Sequence, residues 1–97
     1  MLKNTITILG RGFSITEKPI VLIDGKEYAG SAHRPSKKIE IKESIDDDYK
    51  HETLAHEVAH MALEETGMNN LFTAEQIEAI CDFAAIVSET MRKYDNE

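Results

Sequence analysis

His56 and His60 stand four residues apart in the stretch "LAHEVAHMALEE", and Glu57 directly follows the first of them. On an α-helix, at about 100° per residue, residues four apart lie within roughly 40° of each other. Two imidazoles one turn apart suit a single divalent ion, zinc above all. A carboxylate beside the first can then take a proton from a water that the metal acidifies. Glu57 falls about 100° round the helix from His56, so it can lean toward an open coordination position without being a ligand itself. The plainer alternative is an ordinary helix with two hydrogen-bonded histidines and one solvated glutamate.

A catalytic zinc of this kind needs a third protein ligand and keeps one position open. Glu78 and Asp82 supply candidates, four apart in a second helical stretch and therefore on one face of it. Ile77, Ile80, Cys81, Ala84, Val87, Ser88 and Met91 form the expected core stripe beside them. If the two helices form an antiparallel hairpin, His60 lies roughly 10 Å from the hairpin end and Glu78 about 7–8 Å, at 1.5 Å per residue. Asp82 then falls between the two histidines in depth and close to His56. One carboxylate can ligate while the other accepts the free ring N–H of a histidine. Two acids placed there without a cation would repel each other.

The elements that position these residues are legible in outline. Residues 1–45 read as strands and turns, with "NTITIL" alternating and Gly10-Arg11-Gly12 turning the chain into "FSI". "IVLIDGKEYA" signals a hairpin with Asp24-Gly25 at its tip. "GSAHRPS" reads as a loop because Pro35 and small residues break a ladder, and "KKIEIKES" alternates again with Ile39, Ile41 and Ile45 on one face. Aspartates 46–48 cap a helix over 46–66 that Gly67 stops, and Thr73-Ala-Glu-Gln76 is a capping-box signature opening a helix over 73–92. The expected fold is α+β: one domain over 1–97, with a small antiparallel or mixed sheet followed by a two-helix hairpin.

Composition narrows the partners. The chain has 97 residues and a formal charge of −7, which argues against nucleic acid or an anionic membrane surface as a partner. Cys81 is the single cysteine, so no disulfide can form within the chain and the cytoplasm is the expected compartment. The start "MLKNTITILGRG" does not read as a signal peptide, and no stretch reads as a membrane span. A core of this size is modest, and a bound metal would help to hold it.

His56-Glu57-Val-Ala-His60 followed by Glu78-Ala-Ile-Cys-Asp82 resembles the gluzincin signature of thermolysin-type zinc metallopeptidases. The compact layout is similar to minimal metallopeptidases of phages and prophages. The resemblance spans about residues 39 to 92. It implies a hydrolase acting on a protein or peptide substrate, with His56, His60 and Glu78 as zinc ligands, Glu57 as general base and Asp82 orienting a ligand histidine. The third histidine of metzincins would fall at Thr66 and their preceding glycine at Leu63, which excludes that branch. No downstream domain supplies the group that steadies the oxyanion in larger relatives. His33, Tyr49 and Tyr28 are the candidates for that contact with substrate. In similar enzymes the strand at the cleft edge pairs with substrate, and "KKIEIKES" is expected there. The alternative function is a zinc-stabilised, non-catalytic interaction or phage regulatory module, in which the carboxylate of Glu57 would serve no purpose.

Overall fold

The computed structural model describes residues 2–97 and is an α+β fold. Strands β1 (Thr5–Ile8), β2 (Arg11–Lys18), β3 (Leu22–Ile23), β4 (Lys26–Glu27), β5 (Gly30–His33) and β6 (Lys38–Lys42) precede helices α1 (Asp47–Thr66) and α2 (Ala74–Asp95). A short 3-10 turn, Met68–Leu71, joins the helices. The main sheet is mixed, in the order β1-β2-β6-β5: β2 and β6 run parallel and the outer pairs antiparallel. β3 and β4 form a separate two-stranded hairpin.

Strand alternation builds the core from one side of the sheet. Phe13 and Ile15 of β2 and Ile39 and Ile41 of β6 are buried, while the residues between them face outward or lie at the margin. Leu2, Ile8 and Met61 complete the cluster, with Ile45, Leu54, Val58 and Ala62 among the residues packed against it. Both tight hairpins use consecutive positive φ angles, Leu9 and Gly10 in one and Asp24 and Gly25 in the other. That pattern suits a two-residue turn whose twist matches its strands. The first turn therefore falls one position before the expected Gly10-Arg11-Gly12, and Arg11 and Gly12 belong to β2.

Two further expectations are corrected. "GSAH" is not loop but β5, paired antiparallel with β6 through Gly30↔Ile41 and Ala32↔Ile39. Pro35 lies after it, in the turn to β6, where it removes no ladder hydrogen bond. "KKIEIKES" consequently lies inside the sheet between β2 and β5, and the edge strand on that side is β5. On α2, the buried residues are Cys81 and Ala85, whereas Val87 and Met91 of the expected stripe are 46% and 52% exposed.

α1 lies against β5 and β6 on one side and α2 on the other. Asp46 caps it by accepting the Tyr49 N–H at 2.8 Å, and Gly67 ends it at φ 75°. Thr73 and Gln76 cap α2 reciprocally, Thr73 N to Gln76 Oε1 at 2.9 Å and Gln76 N to Thr73 Oγ1 at 3.2 Å. Arg92, near the end of α2, reaches Asp48 in the first turn of α1 at 2.6 Å, as an antiparallel hairpin requires. At the other end of α1, Glu65 accepts from Arg34 and Lys37 at 3.0 Å and pairs with Arg11 at 2.9 Å, which fastens the helix to the β5–β6 turn and the start of β2. Hydrogen bonds from Lys37 and Arg34 hold the Glu65 carboxyl below the ordinary range. Among the described residues, no helix is long and apolar enough to cross a membrane.

Candidate metal centre

The hairpin brings the predicted ligand set to one point. Glu78 Oε1 lies 2.8 Å from His60 Nε2, and Glu78 Oε2 lies 3.3 Å from His56 Nε2. The two Nε2 atoms are 3.2 Å apart. A tetrahedral ion with bonds of about 2.0–2.1 Å sets its donors about 3.3–3.4 Å from one another, which the 3.2 Å between the two imidazole nitrogens approaches, while the two histidines meet different oxygens of Glu78. One donor atom from each of His56, His60 and Glu78 lies within 4.8 Å of the other two.

Local sequence accounts for this convergence. The four-residue spacing stacks the imidazoles one turn apart, with ring centroids 4.9 Å apart. Gly67 and the capped start of α2 set the return of the chain so that Glu78 is level with His60. Asp82, one turn beyond Glu78, sets Oδ1 3.0 Å from His56 Nδ1. A carboxylate there favours a proton on Nδ1, which would leave the Nε2 lone pair for a ligand bond. Glu78 and Asp82 are both more than half exposed, so the point of convergence opens to solvent on the α2 side.

Glu57 is 9% exposed and lines the same cleft as His56, His60 and Glu78. Burial raises its pKa above the ordinary value. The nearby His60 and His56 oppose that effect and Glu78 adds to it. A carboxylate so placed is a better proton acceptor than a surface glutamate. Cys81 lies on the buried face of α2, and its thiol is pushed up to about 11 by burial and by Glu78, Glu57 and Asp82. It therefore packs as an apolar filler and offers no nucleophile at neutral pH.

The cleft has a volume of ≈ 660 Å³ and runs between α1, α2, β5 and the β3–β4 hairpin. This lies within the range of about 300–1,000 Å³ typical of ligand sites. Tyr28 and Tyr49 both line it, about half exposed. His33 does not; it sits at the end of β5 with Nδ1 2.6 Å from Ser36 Oγ. Two lining residues carried no chemical signal in the sequence. Gly30 brings β5 against α1, and Thr53 faces it. The Thr53 hydroxyl is buried and makes no hydrogen bond among the described residues. No family model matches the chain, and no curated protein and no solved structure matches it.

Proposed function

We propose that this chain is a small zinc metallopeptidase, with His56, His60 and Glu78 as the metal ligands and Glu57 as the general base. The supporting observation is the convergence of two imidazoles and a carboxylate, one donor atom from each within 4.8 Å of the others, beside a buried glutamate in the same cleft. Zinc, when bound there, supplies Lewis acidity and brings the pKa of a water molecule toward neutrality. Glu57 accepts the proton at its carboxylate and passes it to the departing amine. Asp82 holds His56 in the orientation and tautomer that ligation needs. A purely structural site would have no use for Glu57.

The substrate is a protein or peptide in extended form. β5 is the edge of the sheet and borders the cleft, so its outer side offers backbone donors and acceptors to a strand laid beside it. Tyr28 and Tyr49 are the hydroxyls available to a developing oxyanion. The compartment proposed is the cytoplasm, in keeping with one unpaired cysteine, and the compact layout is similar to that of small phage and prophage peptidases.

The test is cleavage of a mixed peptide library by zinc-loaded protein and by Glu57→Gln. Loss of the base lowers the rate by about 10²–10⁴-fold while zinc binding persists. Equal cleavage by the variant would remove Glu57 from its role. Zinc binding without cleavage by either protein would favour the zinc-stabilised interaction module.

A further inference from the structure

α2 is apolar on two sides, and only one of them is used. Among the described residues, α1 is the only element with more than marginal contact to α2. Cys81 and Ala85 face it. On the wheel, Phe83, Ile86, Val87, Met91 and Tyr94 fall in a separate arc roughly 140° wide on the far side. All five are exposed, Phe83 at 69% and Tyr94 at 68%. Leu71 and Phe72, just before the helix, are exposed as well. A face this continuous exceeds what scattered surface residues explain.

We propose that this face pairs with the same face of a second copy of the chain, the two α2 helices running antiparallel about a two-fold axis near residues 84 and 85. Self-complementarity carries the proposal. Glu75 is the acidic residue of the first turn, and Lys93 is one of two basic residues in the last. Both fall on the same edge of the apolar arc, roughly 90° from its centre. The register that sets Glu75 level with Lys93 of the other copy also brings Phe83 within about 3 Å in height of Val87, each twice. Antiparallel packing opposes the helix dipoles as well. Arg92 is already engaged by Asp48 and Glu89 within its own chain, which leaves Lys93, also 3.5 Å from Asp48, as the outward cation.

The 22-residue helix is about 33 Å long, and an arc of roughly 140° at a diameter of about 10–12 Å amounts to roughly 400–480 Å². That is about half the ~800 Å² per partner of a standard interface and suits a weak, reversible dimer. On the wheel Asp82 lies roughly 40° and Glu78 roughly 80° beyond the Ile86 edge of the arc, so neither belongs to the pairing face itself.

Sedimentation equilibrium on zinc-loaded protein tests the pairing. Wild type forms a dimer, and Val87→Glu is monomeric with the same zinc stoichiometry, which shows that its fold survives. Lys93→Glu and Glu75→Lys each weaken the dimer by about tenfold, and the double exchange restores it to within about threefold, since charged rim pairs act through like-charge repulsion. A wild type that stays monomeric at ~0.5 mM, where even weak interfaces associate, would overturn the proposal, whatever other protein the patch then binds. Failure of the double exchange to restore pairing would overturn the antiparallel register. Neither outcome depends on peptidase activity.

Discussion

Gly30→Ala probes the wall of the cleft, where β5 meets α1. A Cβ at position 30 would lie 2.5 Å from Thr53 Cγ2 and 3.2 Å from both the Glu40 carbonyl oxygen and Ile41 Cδ1. The nearest atom is the methyl of a β-branched residue on a helix, whose χ1 is stiff, so the strand rather than the side chain must give way. Overpacking of this kind costs about 1–3 kcal/mol, and the lower chain entropy of alanine returns about 0.4–1 kcal/mol. The expected net loss is about 1–2 kcal/mol, a fall in Tm of roughly 5–15 °C for a domain of this size. Thr53→Ser deletes the methyl that the new Cβ meets and keeps the hydroxyl. In that background the penalty of Gly30→Ala should shrink by about 1 kcal/mol, a coupling well above the scatter of independent sites. Urea and thermal denaturation of the four proteins of the cycle, all in chelator so that metal does not intervene, measure it. A neutral Gly30→Ala, or two penalties that simply add, would refute the close approach of β5 to α1.

Asp82→Ala should lower zinc affinity by about tenfold while leaving the fold intact, the small end of the usual 10–100-fold because Asp82 is largely exposed; competition with a chromophoric chelator reads it, and unchanged affinity would count against the His56 contact. Glu57 titrates in the opposite sense to a salt-bridged carboxylate. Its folded pKa is raised by burial, so between the ordinary carboxylate value and the raised one the folded protein holds a proton that the unfolded chain releases. Stability contributed by the neutral form is present at low pH and is lost as pH rises through that window. Metal-free Glu57→Gln should therefore be more stable than metal-free wild type at pH 7, with the gap closing toward pH ~4. Denaturation across that range checks it, and a variant that is less stable at pH 7 would contradict the burial argument.

The two helices and the meeting of His56, His60, Glu78 and Asp82 are legible in the sequence for a common reason. Helical spacing is a local property, and His56, Glu57, His60, Glu78 and Asp82 all lie on helices whose ends are marked by Asp46, Gly67 and the Thr73–Gln76 box. Once the hairpin was assumed antiparallel, depth along each helix fixed which side chains meet. β5 was hidden because Gly30-Ser31-Ala32-His33 has no alternation to display and Pro35 follows closely. Its place is set by pairing with β6 and by contact with Thr53, which are long-range facts. The inward face of α2 was misread at Val87 and Met91 because apolar residues surround most of that helix. Periodicity then offers two faces, and only packing against α1 selects the one carrying Cys81 and Ala85. His33 was offered for the cleft by its proximity in sequence to a presumed edge strand, whereas its ring turns to Ser36.

Titration of the chelator-treated protein with zinc, followed calorimetrically in wild type and in Glu78→Ala, bears most directly on the centre. The account predicts about one zinc per chain in wild type. It also predicts that losing Glu78 weakens binding by more than the roughly 10–100-fold expected for an outer partner such as Asp82. No saturable binding in wild type, or equal affinity in the two proteins, would contradict it.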